Sequence, residues 1–328
     1  MKIAVDAWGG DHAPIEILKG IKNASSNDLE LVVIGSREKL LPLYSELGLK
    51  EEGFPIEDAP QVIEMKEHPA EAIRKKPRST IVQGIRLLSE GKIEAFISAG
   101  NSGAVMAAAW FGLQRIADIE RPAIATLIPS MKSSTVLLDV GATVDCKPKQ
   151  LLHFGVMGAE YAKAVLNIEH PQVGLLSIGE EEGKGNELVK SAYQYFVSRR
   201  GLLNFEFIGN VEGQDIVDGK ADVVVCDGFT GNALLKFGEG LLEFINHSLF
   251  LHITDEALRI RLKEVWKRFD RSEIGGAPLL GVEGICLICH GKSNARDLTS
   301  AILRAKDLVE QKMAEKIRTG LSSLNCIH

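Results

Sequence analysis

Apolar, β-prone runs alternate with amphipathic helical patterns along the whole 328-residue chain. Strands are expected at Lys2–Ala7, Glu30–Gly35, Ala95–Ser98, Ile124–Ile128, Thr135–Val140, Val173–Ile178, Glu206–Ile208, Asp222–Cys226 and Ile285–Cys289. Between them helices are expected at about Pro14–Ala24, Arg37–Leu47, Pro69–Leu88, Gly103–Arg115, Pro148–Ala164, Asn186–Ser198, Asn232–Leu251, Asp255–Phe269 and Ser293–Arg318. Several strand runs are apolar throughout, as in strands covered on both faces. Alternation of this kind specifies an α/β fold: a mostly parallel sheet with helices on either side. No repeat, low-complexity tract or Pro/Ser linker divides the sequence. It is read as one α/β unit over 1–328, with a projecting helical hairpin at about 239–271.

Charge and cysteine usage narrow the function classes. Lys+Arg number 38 and Asp+Glu 44, a formal net charge of −6. A nucleic-acid binder would carry a basic excess instead. The N-terminus meets Asp6 after a short apolar run, so no export segment is expected there. The longest uncharged apolar stretch, Gly103 to Leu113, is far below the roughly 20 residues of a membrane span. Five cysteines, mostly in apolar runs, suit reduced thiols in a cytoplasm. Cys286-Leu-Ile-Cys289-His290 matches a haem-attachment pattern, but the run also reads as a buried strand ending in a glycine turn. Core cysteines are the expectation, with no metal site and no cofactor.

Four loops share one layout: apolar strand, Gly-rich polar turn, helix start. They are Asp6-Ala-Trp-Gly9-Gly10-Asp-His12-Ala-Pro14, Ser98-Ala-Gly-Asn101-Ser102-Gly103, Gly179-Glu-Glu-Glu-Gly-Lys184-Gly-Asn186 and Asp227-Gly-Phe-Thr-Gly-Asn232. In a parallel sheet such turns gather at the carboxyl ends of the strands, where α/β proteins bind ligands. Free N–H groups and helix dipoles there favour an anion, phosphate above all. Each loop alone is equally a capped strand-to-helix connection. The pattern is neither the dinucleotide fingerprint nor a Walker A loop, since Lys184 lacks both the upstream glycine and the following Ser/Thr. Lys184 suits a phosphate or a developing oxyanion, or else balances Glu180–Glu182. Asn232 is either a carbonyl donor or a helix cap. His12 and His290 are either acid/base groups or structural histidines. No nucleophile elbow, Ser-His-Asp order or H-E-x-x-H is present, so a protein nucleophile is not expected.

At these loops the chain resembles the phosphate acyltransferases, the acyl-acyl-carrier-protein:phosphate acyltransferase (PlsX) family. The matching segments are VDAWGGDHAP (5–14), ISAGNSGA (97–104), LLDVGATVDCKP (137–148), GLLSIGEEEGKGNEL (174–188), FIGNVEG (207–213), DVVVCDGFTGNALLK (222–236), GGAPLLGV (275–282) and HGKSNA (290–295). They run in family order over nearly the whole chain. Trp8, Gln214 and Ile274 stand where the family more often has Met, a basic residue and Tyr. The resemblance implies a three-layer, mostly parallel fold like that of isocitrate and isopropylmalate dehydrogenases and phosphotransacetylases, assembled as a homodimer. It implies transfer of a fatty acyl group from acyl carrier protein to inorganic phosphate. The acyl phosphate then feeds a membrane glycerol-3-phosphate acyltransferase. On the same footing Lys184 and Asn232 are catalytic, and Gly9, Gly10, His12, Ser98, Asn101, Ser102, Gly103 and Asp227 bind phosphate or substrate.

Two other readings remain in view. A nicotinamide-dependent dehydrogenase of the same fold would need a metal-binding acidic cluster and an arginine-rich carboxylate site, and the sequence offers neither. A non-enzymatic scaffold would rest on the segment 239–271. There an apolar cluster at Leu249, Phe250 and Leu251 precedes a basic helical pattern, which suits peripheral contact with an anionic membrane surface.

Overall fold

The computed structural model describes residues 1–325 apart from 27, 117, 254, 256, 257, 259 and 263–274. The strands are β1 (Lys2–Asp6), β2 (Glu30–Gly35), β3 (Ile56–Asp58), β4 (Ala95–Ser98), β5 (Ala123–Ile124), β6 (Thr126–Pro129), β7 (Ser134–Leu138), β8 (Gln172–Leu176), β9 (Glu206–Val211), β10 (Val223–Val225), β11 (Ala277–Leu280) and β12 (Ile285–Ile288). The helices are α1 (Ile15–Asn23), α2 (Arg37–Leu47), α3 (Pro69–Lys75), α4 (Thr80–Ser89), α5 (Ser102–Gly112), α6 (Pro148–Val165), α7 (Glu187–Val197), α8 (Gly213–Asp218), α9 (Gly228–His252), α10 (Ala295–Glu310) and α11 (Met313–Ser322). The chain divides into two units, Met1–Pro122 with Gly275–Thr319 and Ala123–Ile274 with Gly320–His328.

Within the first unit the sheet order is β3-β2-β1-β4-β12-β11. All neighbours are parallel except β11, which runs antiparallel to β12. Every residue from Ile3 to Asp6 and from Ala95 to Ser98 is buried, so both faces of the central strands are covered. One helix pair, α1 with α10, and another, α4 with α5, supply the cover. The order reverses between β1 and β4, because β2 and β3 lie to one side of β1 and β4 to the other. Open α/β sheets bind ligands at such a switch point.

In the second unit the order is β6-β7-β10-β8-β9, with only β6 antiparallel. β10 is inserted between β7 and β8, so the loop after β10 emerges between the loops that follow those two strands. α6 is buried at every position from Gln150 to Ala162. Such a helix is core on all sides rather than amphipathic. The architecture is a mostly parallel, layered α/β fold, as the alternation requires.

The differences from the sequence reading have local causes. The single helix expected over Pro69–Leu88 is two, because Lys76-Pro77 breaks it and Ser79 caps the second, accepting from Val82 N. The helix expected over Ser293–Arg318 is also two; the chain turns at Lys312, whose φ is 52°. The strand expected over Ile124–Ile128 is split into β5 and β6. β3, β11 and α8 were not expected: β3 is a three-residue edge strand, β11 an antiparallel one carrying Pro278, and α8 a six-residue helix. Cys286 and Cys289 are buried core thiols, both pushed up to about 12 by burial. The first arm expected of the hairpin, the helix over Asn232–Leu251, falls within α9. The second arm, expected over 255–269, lies largely outside the described residues. No helix among the described residues is long and apolar enough to cross a membrane.

The packing yields one stability prediction. Gly84 of α4 faces the fully buried ring of Phe96, and a Cβ there would overlap the ring edge. Gly84→Ala gains about 1 kcal/mol of helix propensity. It should still lower stability by roughly 1–2 kcal/mol through overpacking, as measured by urea midpoint. A variant as stable as wild type or more so would refute this account of the contact.

Candidate active site

The loops after β1 and β4 meet at the switch point of the first unit. Asp6, 1% exposed, closes β1 and accepts from Trp8 N at 3.0 Å and from Ser98 Oγ at 2.7 Å. Burial pushes its carboxyl up, against hydrogen bonds from Ser98, Thr80, Trp8 and Gly9 that pull it down. Ser98 Oγ also accepts from Gly100 N at 3.1 Å. Its hydroxyl therefore ties the two loops together from beneath. A Cβ at Gly9 would lie 2.6 Å from Gly100 N, so the two backbones touch directly. Gly10 adopts φ 97°, and Asp11 N donates to Gly291 O at 2.6 Å, joining the loop after β12.

Asn101 is the N-cap of α5. Its Oδ1 accepts from Ala104 N at 3.0 Å and its Nδ2 reaches the carbonyls of Glu64, Met65 and Glu67. Ser102, in the first helical position, and His12 are exposed. Gly103 packs on Pro69. Trp8 turns away from this cluster toward the end of β2, over Gly35 and Leu40, with Lys39 Nζ 5.8 Å from the ring centroid.

In the second unit Asp139, immediately after β7, is fully buried. Its carboxylate accepts from Ile124 N, Gly141 N and Ala142 N at 2.9–3.1 Å and from Thr143 N at 2.5 Å. Burial raises its pKa, and the four N–H donors oppose the rise. The start of α9 rests on this turn. Gly228 N donates to Thr143 O at 2.8 Å, and a Cβ at Gly231 would overlap Asp139 O. Asp227 caps α9, taking Thr230 N at 2.9 Å and Thr230 Oγ1 at 2.8 Å. The glycines that read as a turn thus lie in the first helical turn. Asn232 is one turn inside the helix, not at its start. It is exposed, and its side chain lies beside Gly141.

Lys184 sits on the loop after β8, whose end is capped by Asn186 through Val189 N at 2.9 Å. The neighbouring acids are held elsewhere: Glu180 pairs with Lys220, and Glu182 accepts from Gln194. Lys184 is exposed, and among the described residues no ion pair engages its ammonium. Its stem folds back over Gly179, with Cγ 3.0 Å from where a Cβ would stand. β8 pairs directly with β10, so this loop and the start of α9 leave neighbouring strand ends. Three apolar side chains stand exposed at the same end of the sheet: Val144 (55%), Ile178 (81%) and Phe229 (69%). The unit therefore offers a free cation, an exposed amide and apolar surface. Among the described residues no cluster of three or more metal-ligating side chains forms.

The residues that sequence reasoning missed are the buried polar ones beneath these loops, Asp6, Asp139 and Asn210. Each lies in a family-like segment, but nothing in the sequence separates it from a solvated loop residue. The membrane-tip expectation falls on Leu249, which is exposed, and on Phe250 and Leu251, whose side chains are outside the described residues.

The chain and its fold have counterparts among known proteins. A family profile described as "Fatty acid synthesis protein" matches residues 1–316. A phosphate acyltransferase from Pelotomaculum thermopropionicum is 48% identical over 99% of this chain and 96% of the relative. One from Dictyoglomus turgidum is 44% identical over 99% of this chain and 98% of the relative. Among solved structures, a phosphotransacetylase from Streptococcus pyogenes matches with a TM-score of 0.64 at 17% identity, over 94% of each chain. That likeness bears on the fold alone.

The contact of Lys184 with Gly179 is open to direct test. Gly179→Ala should push the lysine stem aside and lower phosphate-dependent turnover roughly tenfold, about 1.4 kcal/mol of barrier. The melting midpoint should stay near wild type, because the added Cβ would meet only the flexible side chains of Glu181 and Lys184. Unchanged turnover would show that the stem need not lie over Gly179.

Proposed function

The chain belongs to the phosphate acyltransferase (PlsX) family, and from that premise we propose that it moves a fatty acyl group from acyl carrier protein to inorganic phosphate. The products are acyl phosphate and the free carrier thiol. The observation that carries the reading is Lys184, an exposed ammonium left unpaired among the described residues because Glu180 and Glu182 are engaged by Lys220 and Gln194. A lysine in that state is available to a phosphate dianion or to an oxyanion. The exposed Val144, Ile178 and Phe229, which follow strands of the same sheet, suit the apolar part of an acyl thioester.

Hydrogen phosphate is itself the nucleophile, so no serine or cysteine is needed. Its oxygen attacks the thioester carbonyl carbon, and the carbonyl oxygen becomes an oxyanion. Collapse breaks the C–S bond, and the departing thiolate takes the proton that hydrogen phosphate gives up. Lys184 and Asn232 serve the phosphate charge and the carbonyl oxygen, and Asp227 orders the start of α9 beneath Asn232. In the first unit the Gly9-Gly10 turn, with His12, and the Ser98–Gly103 loop bind an anionic part of the substrates. Ser98 and Asn101 act there by holding the loop, while Ser102 and the backbone N–H groups are its exposed donors. Positioning supplies up to roughly 7–11 kcal/mol in reactions of this type.

A homodimer and peripheral membrane contact belong to the same proposal. Phe237, Leu241 and Phe244 form an exposed apolar stripe on α9 at helical spacing, which suits a second copy. The acyl phosphate would pass to a membrane glycerol-3-phosphate acyltransferase.

The primary test is phosphate-dependent release of free thiol from long-chain acyl carrier protein. Wild type should release it without added nicotinamide or divalent metal. Lys184→Ala should lose about a hundredfold or more in kcat/KM, with stability changed by no more than ~0.5 kcal/mol. Near wild-type turnover in that variant would remove Lys184 from the mechanism. For the membrane, the expected result is salt-sensitive co-sedimentation with anionic liposomes, lost when Leu249, Phe250 and Leu251 are all changed to Ser while turnover in solution persists. Retained binding would exclude the tip.

A further inference from the structure

One family-like segment, 207–213, has no part in the reaction as described above. Its most buried polar residue is Asn210 on β9, 3% exposed and in register with Leu175 of β8. Its Nδ2 donates to Glu181 O at 2.9 Å, across 29 residues of sequence. The same carbonyl accepts the backbone N–H of Lys184 at 3.0 Å. One carbonyl oxygen thus joins the strand to the residue that carries the ammonium.

The other end of the Asn210 amide argues that this bond is its purpose. Oδ1 is buried and has no hydrogen-bond partner among the described residues. A buried acceptor without a partner costs free energy that an apolar strand residue would not incur. Ser177 Oγ, after the adjoining strand β8, is unpartnered and buried in the same way, and lies 3.1 Å from where a Cβ at Gly185 would stand. The floor under the loop is therefore polar where packing alone would make it apolar. Above it the loop contains Gly179, Gly183 and Gly185, whose backbone freedom leaves its shape to its anchors. At its two ends those anchors are the Ser177 N to Val211 O bond at 2.8 Å and the Asn186 cap. Midway, the anchor is Asn210.

We infer that Asn210 is a positioning residue for Lys184: by holding the Glu181 carbonyl it fixes the turn that sets where the ammonium stands. The inference rests on the reading of Lys184 as the group that meets phosphate or oxyanion. Asn210 touches neither substrate and acts only through the loop.

The test compares Asn210→Ala and Asn210→Leu, each alone and combined with Lys184→Ala. The leucine variant nearly keeps the size of the side chain but has no group that can donate to a carbonyl. It carries the test if the alanine variant fails to fold. Thiol release from long-chain acyl carrier protein is followed with phosphate and thioester varied separately. Each single variant should lose ten- to a hundredfold in kcat/KM for phosphate, with the KM for the thioester within twofold of wild type. In the Lys184→Ala background, where the residual rate is read at high enzyme concentration, the Asn210 changes should cost less than a further twofold. Equal proportional losses in both backgrounds would mean a general structural role and overturn the inference, as would wild-type kinetics in Asn210→Leu. Wild-type turnover in Lys184→Ala alone would instead remove the premise, whatever the Asn210 variants do.

Discussion

A buried carboxylate at the end of a strand, gathering the N–H groups of its own turn, is the interaction on which the site loops depend. Asp139 takes four backbone donors. Asp6 takes the N–H of its own turn and the Ser98 hydroxyl of the neighbouring loop. A Gly-rich turn leaves several N–H groups without a ladder partner, and in a buried position each must be satisfied. A carboxylate has lone pairs for all of them. Burial raises both acids while the donors pull them down, so each turn is tuned by the balance of these terms. The same device recurs in both units, at β1 in one and at β7 in the other.

Close backbone contact follows from that arrangement. Once Asp139 has folded its turn, the first turn of α9 lies directly on it, and Gly228 and Gly231 stand where a side chain would overlap it. Gly9 does the same at the switch point, where a Cβ would overlap the backbone at Gly100. Bulky residues would hold the loops apart and cover the outward N–H groups and helix starts. An anion site needs both of these open. The glycines are thus a steric requirement of packing one loop on another, and the same geometry leaves the outward N–H groups and helix starts open.

The sequence disclosed the layers and the loops because strand apolarity and helix caps are local properties. The β1, β4 and β12 runs and, to within one residue, the starts of α5 and α7 were legible from neighbours within a few residues. Short or proline-bearing edge strands such as β3 and β11 lack that signal. The start of α9 was misplaced by four residues because Gly228 and Gly231 look like turn residues until Asp139, far away in sequence, is seen to press against them. The state of Lys184 was undecided for the same reason. Whether it balances Glu180 and Glu182 depends on Lys220, 40 residues from Glu180, and on Gln194. The contact of Asn210 with Glu181 is equally long-range.

Those distant partners bear on how an acid-rich loop could serve an anion at all. Three consecutive glutamates beside Lys184 would repel a phosphate dianion and compete for the ammonium. Glu180 instead lies against Lys220, which also faces Asp215 at 3.4 Å, and Glu182 against Gln194. Glu181 is tied through its carbonyl to Asn210 and to the Lys184 amide. Two of the three acids are thus held by partners outside the loop, while the Glu181 carboxylate stays over Gly179 beside the Lys184 stem. A chain with net charge −6 can in this way present a local positive point without an excess of basic residues.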